Sequence, residues 1–372
     1  MAASRRYHYC RATYTNDLVH SKWRYGWCEK YLVSIPNATK IHGENIKGWC
    51  QMSVNNRMRE LLRCPQCRGG CLIDHMMDNE LVCTQCGQIF PVSNERPVLL
   101  RKDNLLFRVD DYMAEHPPTR VSTLHKVAER FVPGLSVNLA RERILEMMRD
   151  QLIKLNKPIV LVVGSASQKK WLNERLKYGE IEIVYSDIDI GADIDLFCDA
   201  HDLPFHDDCF DAVVTTAVLE HVMYPERVAT EIARVLKVGG LLYSELPFMQ
   251  QVHEGAYDFT RYTLGGHRRL FNRFDEIDAG MVAGPGTSLA WAIENFVLAF
   301  FVGNKARLLM KIFVRLGFSW FRYFDYLLKK RPQAMDGASC TYLYGRKMDG
   351  RVADSDIVGR YTGAKHLVHT RT

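Results

Sequence analysis

The chain has 372 residues, 47% of them hydrophobic and 25% charged, which is enough for one large and one small domain with real cores. Its net charge is +6, but residues 1–63 hold 11 Lys or Arg against 4 Asp or Glu, and residues 303–372 hold 14 against 5. Residues 64–302 therefore carry a net charge of −10. This acidic centre argues against a catalytic groove that follows a phosphate backbone, whereas the basic ends suit anionic lipid, RNA or plain solvation.

The eleven cysteines do not have the pattern of a disulfide framework. No apolar segment typical of a signal peptide precedes them, a chain of this size needs no disulfides, and four of the cysteines fall in two close pairs. No run of about 18 apolar residues predicts a membrane-spanning helix. We therefore expect a protein of the reducing cytoplasm, peripheral at most to the inner face of a membrane.

Residues 1–57 are rich in aromatic and basic residues but show no periodicity of a helix or a strand. We assign them no fold, and disorder is one interpretation. The last residues, 348–372, are expected to form a flexible basic tail.

Two pairs of cysteines characterise residues 58–100. Cys64-Pro65-Gln66-Cys67 is followed, after fifteen residues, by Cys83-Thr84-Gln85-Cys86. Two residues between cysteines let both thiolates of a pair reach one ion from a tight turn, and two such turns complete a tetrahedral S4 site that suits Zn²⁺. A closed site of this kind stabilises a fold rather than catalysing a reaction. The pattern predicts a structural zinc ribbon, with Cys71 as a bystander.

This region resembles the small zinc-ribbon proteins that partner transfer-RNA and protein methyltransferases. The matching segments are Leu62 to Pro65, Leu81 to Cys83, Phe90 to Val92 and Arg96 to Leu100. The resemblance implies a ribbon of this kind, here fused to an enzyme.

The sequence after the ribbon changes character at Pro158. Residues 101–157 are interpreted as a connector that is partly helical, because apolar residues recur there at helical spacing: Ile144, Met147, Met148, Leu152 and Leu155. In residues 158–347, short apolar runs alternate with amphipathic helices, which predicts a parallel sheet with helices on both faces. The helix after Pro225 is expected to end at Gly239-Gly240, ahead of a strand over 241–244.

Two predicted strands end in residues that suit a nucleoside. The strand over 159–163 runs into Gly164-Ser165-Ala166-Ser167, and the strand over 181–185 is followed by Asp187 and Asp189. A strand, a tight turn and a helix are the setting in which nucleotide-like ligands bind at the carboxyl ends of strands. A carboxylate after the second strand can accept both hydrogen bonds of a ribose diol.

Four further segments, taken together, resemble class I S-adenosylmethionine-dependent methyltransferases of the group that includes the ubiquinone and sterol methyltransferases. They are Asp199 to Phe205, Phe210 to Val213, Leu219 to Val222 and Leu236 to Gly240. The resemblance implies an α/β, doubly wound, Rossmann-like sheet of seven mostly parallel strands, with one antiparallel strand near the end. Residues 338–347 suit that last strand.

The resemblance also implies which residues bind the cofactor, S-adenosylmethionine. Gly164 and Ser165 would approach its methionine part, and Asp187, with Asp189 as the alternative, would bind the ribose. Asp199 and the backbone of Ala200 would bind the adenine, and Leu219 and His221 would lie beside the sulfonium. The first turn departs from the family pattern, because Val162 replaces an acidic residue and Ala166 and Gln168 replace glycines. This departure keeps open a domain that no longer binds the cofactor.

The acceptor is expected to lie after the strand over 241–246. His253 has a suitable pKa for a general base near neutral pH, and Asp258 and Arg261 could anchor a polar or anionic acceptor. A structural ion pair of Asp258 with Arg261, followed by a helix that Thr263 caps, is the alternative; Glu245 is a further candidate base. The segment resembles a subgroup of these methyltransferases linked to cell-surface glycan or lipid pathways.

Residues 288–331 form an apolar and aromatic insert whose cations fall near one helical face: Arg307, Lys311, Arg315 and Arg322. The insert could lie in a membrane interface, or it could be a helical cap over the active site. The favoured function is methyl transfer to a small, lipid-linked or glycan-linked acceptor. An RNA methyltransferase and a non-catalytic scaffold that binds a partner remain the alternatives, and the oligomeric state stays open.

Overall fold

The computed structural model describes residues 56–75, 79–114, 132–164 and 168–364, which all belong to the second of two units, Met52–Thr372. The expectations for residues 1–55 and for Ser165 lie outside the described residues. The strands are β1 Leu72–His75, β2 Glu80–Cys83, β3 Ile89–Ser93, β4 Arg96–Leu99, β5 Ile159–Val163, β6 Glu182–Asp187, β7 Leu196–Cys198, β8 Phe210–Thr216, β9 Leu236–Pro247, β10 Phe274–Ala283 and β11 Cys340–Lys347. The helices are α1 Asn56–Leu61, α2 Val109–Met113, α3 Arg141–Leu152, α4 Lys169–Leu176, α5 Pro225–Val235, α6 Leu264–Leu270, α7 Pro285–Leu298, α8 Asn304–Phe318, α9 Phe324–Leu328 and α10 Asp354–Gly359.

Strands β5 to β11 form the predicted methyltransferase sheet in the order β7-β6-β5-β8-β9-β11-β10. Neighbours from β7 to β9 are parallel, and β11 runs antiparallel to both β9 and β10. Every residue of β5 is buried, as expected for a strand covered by helices on both faces. The chain order reverses at β5, between β6 and β8, so the carboxyl ends of β5 and β8 flank a crevice of the kind that binds nucleotides.

The four strands of the ribbon continue this sheet rather than standing apart from it. Strand β4 pairs in parallel with β7, with Val98 opposite Phe197 and Leu99 opposite Cys198. A second strip of backbone contacts lies nearby, because Arg63 N donates to Pro204 O at 2.9 Å and His206 N donates to Leu61 O at 2.9 Å. Ribbon and methyltransferase sheet therefore share one eleven-stranded sheet within the described residues.

The ribbon and the sheet also share a hydrophobic core. Apolar side chains of both pack in one cluster, among them Leu62, Phe90, Leu99, Phe205 and Phe210. Phe205 and Phe210 meet edge to face, with ring centroids 4.9 Å apart. Because the core is common, the ribbon cannot separate from the sheet without exposing large apolar side chains to water.

A buried carboxylate ties the ribbon to the region that follows β7. Asp202 is 7% exposed and accepts hydrogen bonds from Arg68 at 2.7 Å and from Arg227 at 2.5 Å. Arg68 belongs to the first cysteine turn, where it adopts a positive φ of 58°. A charge at this depth is tolerated only with such partners, so Asp202 favours one placement of the ribbon turn.

The boundary between α5 and β9 differs from the expectation. The helix ends at Val235 rather than at Gly239-Gly240, and β9 begins at Leu236. Gly239 has φ +82°, and a Cβ on Gly240 would lie 2.8 Å from Lys237 O. These glycines therefore permit a sharp deviation within a strand, which a pattern of apolar spacing cannot distinguish from a helix terminus.

The insert between β10 and β11 consists of α7, α8 and α9 and is anchored by one carboxylate. Asp325 is fully buried and accepts hydrogen bonds from the N–H groups of Gly284, Gly286 and Thr287, at 2.9, 2.7 and 3.1 Å. These N–H groups open α7, so the carboxylate both caps the helix and faces the positive end of its dipole. No helix in the described ranges is long and apolar enough to cross a membrane.

Two segments differ from the expectation: part of the tail forms a helix, and the helix of the connector ends before Leu155. Residues 354–359 form α10, and Arg268 donates to Arg360 O at 2.8 Å, which holds this helix against α6. In the connector, α3 ends at Leu152, and Leu155 is 49% exposed rather than buried. Local composition predicted the flexible tail, but a contact more than ninety residues away in sequence orders part of it.

Candidate functional site

The four predicted zinc ligands come together in the ribbon. Sγ of Cys64 lies 3.8 Å from Sγ of Cys86, and Sγ of Cys67 lies 3.6 Å from Sγ of Cys83. Ligands at about 2.3 Å around a tetrahedral zinc ion are about 3.8 Å apart, so the cluster fits Zn²⁺. Cys71 is exposed and does not belong to the cluster. The four cysteines therefore come together as a structural S4 zinc site requires, and Cys71 lies outside their cluster.

The backbone of the cysteine turns prepares the thiolates for a cation. Hydrogen bonds from the N–H groups of Gly69 and Gly70 lower the pKa of Cys67 to about 6, whereas burial raises the pKa of Cys64. The amides of Gln85 and Cys86 both approach Sγ of Cys83 at 3.4 Å. A Cβ on Gly70 would lie 2.3 Å from that same sulfur, so only glycine fits there.

A cleft lies at the carboxyl ends of β5, β6 and β8, where the switch in strand order predicts one. It contains about 740 Å³ of empty space, its open mouth included. Its lining includes residues that follow the predicted strands: Gly164, Asp187, Asp199, Ala200, Val218 and His221. Asp189 and Leu219 do not line it: Asp189 is exposed and accepts from Gly191 N at 3.0 Å, and Leu219 is fully buried in the core.

Gly164 has a conformation that the first turn requires. Its φ is +69°, and a Cβ at this position would lie 2.6 Å from a methyl group of Val218. The backbone of β5 can therefore come close to β8 and leave room for a ligand above it. Val162, which replaces the family's acidic residue, is buried and does not line the cleft.

Asp199 has a more crowded environment than the sequence indicated. Its Oδ1 accepts from His201 N at 2.9 Å and lies 2.6 Å from His201 Nδ1, and its Oδ2 accepts from Asn104 Nδ2 at 2.8 Å. Burial acts to raise the pKa of Asp199, but the hydrogen bonds from His201 outweigh it, so the pKa falls below its usual value. Three of about four acceptor positions are used, which leaves one on Oδ2 for a ligand amine.

The segment that follows the ribbon forms one wall of the cleft. Leu106 and Phe107 line it, and Asn104 accepts from the N–H groups of both residues at 3.0 Å while donating to Asp199. Phe107 stacks on Tyr257 across the mouth, with ring centroids 6.4 Å apart. Sequence analysis missed Asn104 because its turn becomes part of the site only through the ribbon's place in the sheet.

The predicted acceptor residue His253 lies beside the end of the cleft that His221 lines, and not in the lining itself. His221 Nδ1 lies 2.7 Å from Tyr257 O, so this nitrogen carries the proton and Nε2 holds the lone pair; burial lowers the pKa of this histidine. The ring of His253 meets the ring of His221 edge to face, with centroids 4.8 Å apart. Between them Glu220 is buried, and burial raises the pKa of its carboxyl to about 8.

Asp258 and Arg261 pair with each other instead of facing an open surface. The Arg261 guanidinium bonds both oxygens of Asp258 and also the carbonyls of Gln250 and Gln251. The hydrogen bond from Arg261 holds the pKa of Asp258 far below its usual value. Thr263 caps α6 by accepting from Gly266 N at 3.1 Å. This geometry favours the structural alternative for the pair.

Glu245 does not suit the role of a base. It is 2% exposed, the Arg141 guanidinium and the Tyr243 hydroxyl donate to it, and Asn138 adds a bond at 3.2 Å. A carboxylate with all these donors has little capacity left for a substrate proton. Sequence analysis could not exclude this candidate, because Arg141 and Asn138 come from the connector, far away in sequence.

Comparison with known proteins agrees with this geometry. Residues 157–244 match the family described as a methyltransferase domain, and residues 56–95 match the Trm112p-like proteins. The chain therefore combines a class I methyltransferase domain with a Trm112p-like zinc ribbon. S-adenosylmethionine is the cofactor of that domain, and the cleft with Gly164, Asp187 and Asp199 fits it. No curated protein sequence matches the chain.

Solved structures also resemble the chain, at low similarity. One is Haemonchus contortus phosphoethanolamine N-methyltransferase 2 with S-adenosylmethionine, at 14% identity and a TM-score of 0.38, covering 62% of this chain and 58% of that one. Another belongs to the complex of the Haloferax volcanii Trm112 methyltransferase activator, at 18% identity and a TM-score of 0.34, covering 57% and 96%. The class of the domain therefore depends on the family match and the strand order.

Replacing one ribbon ligand should remove the zinc. Cys83→Ser is expected to abolish tightly held zinc and to lower Tm by about 5 °C or more, because metal binding contributes folding free energy. Elemental analysis and thermal unfolding provide the two measurements. The matched control is Cys71→Ser, an exposed thiol outside the cluster, which should keep its zinc. Retention of zinc by Cys83→Ser would contradict the assignment.

Removing the carboxylate after β7 should weaken cofactor binding. Asp199→Ala is expected to raise the Kd for S-adenosylmethionine roughly ten- to one-hundred-fold, because hydrogen bonds to a charged group are lost. Calorimetry measures this change directly. Asp189→Ala is the control and should alter the Kd less than about twofold. A larger effect at Asp189 than at Asp199 would place the nucleoside elsewhere.

Proposed function

We propose that the protein transfers a methyl group from S-adenosylmethionine to a small, lipid-linked or glycan-linked acceptor. The observation that carries the proposal is a continuous cleft with a nucleoside-like end at Asp187 and Asp199 and a histidine-lined end at His221. S-adenosylmethionine, when bound, supplies a methyl group already activated by a sulfonium. The protein then has mainly to align the acceptor and accept a proton where the acceptor loses one.

The cofactor end is assigned as follows. Asp187 is the proposed ribose ligand, because it ends β6 and lines the cleft. Asp189 is exposed and does not line the cleft, so it is not assigned this role. Asp199 and the backbone of Ala200 are the proposed adenine ligands. Gly164 and Ser165 are proposed for the methionine part. Leu219 supports this end from the core rather than by contact.

At the acceptor end, His253 is the proposed residue that contacts the acceptor. Asp258 accepts a hydrogen bond from His253 N at 2.9 Å, and its Oδ2 lies 3.5 Å from Nδ1 of the same residue. We therefore assign Asp258 and Arg261 to positioning of His253 rather than to anchoring of the acceptor. This arrangement holds the His253 ring against His221, which lines the cleft, while the carboxylate of Asp258 stays buried.

The charge distribution supports a small or lipid-linked acceptor over RNA. The central part of the chain is acidic, and the carboxylates Asp187, Asp199 and Glu220 lie in or beside the cleft. A polyanion would be repelled there, because contacts with a phosphate backbone need Lys and Arg. The alternative of a non-catalytic scaffold is based partly on Val162, which stands where the family has an acidic residue. The side chain of Val162 lies outside the cleft, so this replacement does not change the residues that line it.

The insert is proposed to contact the surface of an anionic bilayer. Large apolar side chains of α7, α8 and the following turn are exposed: Phe296, Phe300, Leu309, Phe313, Leu316 and Trp320. Three of the four cations that were predicted on one helical face bind groups within the chain: Arg315 pairs with Glu294, Arg307 donates to Leu298 O, and Arg322 donates to Gly134 O. Binding would therefore depend mainly on apolar insertion.

Loss of the His253 ring should affect turnover and not the cofactor. With an acceptor fraction that supports release of S-adenosylhomocysteine, His253→Ala is expected to lower kcat/KM about 10²–10⁴-fold. The Kd for S-adenosylmethionine should stay unchanged. His206→Ala, a half-buried histidine outside the cleft, is the control. Absence of cofactor binding by the wild-type protein would instead favour the scaffold.

Charging the exposed face of α8 should weaken membrane contact. Phe313→Glu combined with Leu316→Glu is expected to reduce co-sedimentation with phosphatidylserine-containing vesicles at least tenfold, at both low and high salt, because apolar insertion is lost. Val358→Glu, at an equally exposed apolar residue of α10, is the control. Failure of the wild-type protein to bind these vesicles would overturn the proposal.

A further inference from the structure

Three metal-binding side chains meet at the acceptor end of the cleft. Glu220 and His221 lie in the turn after β8, and His253 lies in the loop after β9. One ligand atom from each residue lies within 4.8 Å of those from the other two. Two imidazoles and one carboxylate on two different loops are brought together only by the parallel pairing of β8 with β9.

Glu220 makes this cluster unusual. Its side chain is 1% exposed, and neither carboxylate oxygen accepts a hydrogen bond from any residue in the described part of the chain. The N–H groups of Phe259 and Thr260 bond its backbone carbonyl instead. A buried carboxylate without donors is costly, so a ligand that this structure does not contain is expected to satisfy it.

A hydrogen-bonded pair of Glu220 with His221 does not account for the cluster. The distance from Glu220 Oε1 to His221 Nε2 is 3.6 Å, which is too long for a hydrogen bond. His221 Nδ1 carries the proton that it donates to Tyr257 O at 2.7 Å. In that tautomer Nε2 has a lone pair, so it cannot donate to the carboxylate either.

Both imidazoles are oriented as metal ligands usually are. A ligating histidine donates its second ring N–H to a carbonyl or carboxylate, which fixes the ring and its tautomer. His221 does so with Tyr257 O, and Nδ1 of His253 lies 3.3 Å from Gln251 O and 3.5 Å from Asp258 Oδ2. Nε2 of His221 is thereby left as a ligand atom, and a proton on Nδ1 of His253 would leave Nε2 of that ring for the ion as well. The buried carboxylate of Asp258 would then help to orient the ring of His253.

We propose that Glu220, His221 and His253 form a binding site for a divalent transition-metal ion, with Zn²⁺ as the best-suited ion. Imidazole and carboxylate donors suit ions of this class better than Mg²⁺ or Ca²⁺, which prefer oxygen ligands alone. Three protein ligands leave at least one coordination position open. His221 lines the cleft, so that position faces the bound acceptor.

The role of the ion depends on the proposed methyl transfer. In this arrangement His253 would hold the ion rather than accept a proton, and an acceptor hydroxyl bound at the open position would have its pKa lowered and lose its proton to solvent. Its oxygen would then form the new C–O bond as the C–S bond of the sulfonium breaks, releasing neutral S-adenosylhomocysteine. The site thus favours an oxygen acceptor, and a chelating pair of adjacent hydroxyls would use two positions.

Metal content tests the site without cofactor or acceptor. The full chain, with its ribbon filled by zinc, would be titrated with Co²⁺ and followed by visible absorption. We expect one Co²⁺ per chain with the weak bands of nitrogen and oxygen ligands, and not the intense charge-transfer bands of thiolates. Glu220→Gln keeps the side-chain shape and should bind Co²⁺ at least tenfold more weakly, as should His253→Ala.

The control is His206→Asn, which removes a histidine outside the cluster and should bind Co²⁺ as the wild type does. Circular dichroism checks that each variant is folded, and Glu220→Gln should fold well because the amide has nearly the shape of the carboxyl group. No Co²⁺ beyond the ribbon, thiolate bands only, or unchanged affinity in Glu220→Gln would overturn the site. Because the titration needs no methyl transfer, metal binding in an inactive protein would refute the proposed function and leave the site standing.

Discussion

The parallel pairing of β4 with β7 is the contact on which the rest of the molecule depends. It joins the zinc ribbon to the edge of the methyltransferase sheet by Val98 and Leu99, and β7 leads directly to Asp199. The chain leaving β4 then passes over the cleft, where Asn104 bonds that carboxylate. A structural zinc ion that holds the ribbon turns would therefore help to fix the position of Asn104 beside Asp199, without contacting the cleft itself.

The two ends of the cleft are formed by different kinds of backbone segment. The proposed nucleoside end is made of strand termini, Gly164, Asp187 and Asp199, and its carboxylates have hydrogen-bond donors or lie at the surface of the cleft. The proposed acceptor end is made of loops, and there one buried carboxylate, Glu220, has no hydrogen-bond donor within the described residues. Rigid strand ends hold the part of the reaction that is common to a family, and loops hold the part that varies.

Buried polar side chains whose hydrogen bonds are all made within the protein help to identify the ones that lack partners. Glu245 and Asp325 are buried carboxylates whose donors are all supplied by nearby backbone and side chains, which marks them as structural. His267 belongs with them: burial lowers its pKa to about 3, and it lies between Ser244 and Thr341. Glu220 differs from them because no described residue donates a hydrogen bond to its carboxylate, and that contrast separates a candidate ligand from the groups that hold the sheet together.

Short-range patterns of the sequence determined the cysteine cluster, the alternation of strands and helices, and the residues at the strand ends. Two residues between cysteines and a carboxylate directly after a strand are local arrangements, and their geometry follows from the spacing alone. The tertiary structure decided which carboxylates are free. Glu245 is saturated by Arg141, and Glu220 is brought beside His253 by a strand pairing. Both outcomes depend on residues far apart in sequence, whose distances only the packed sheet defines.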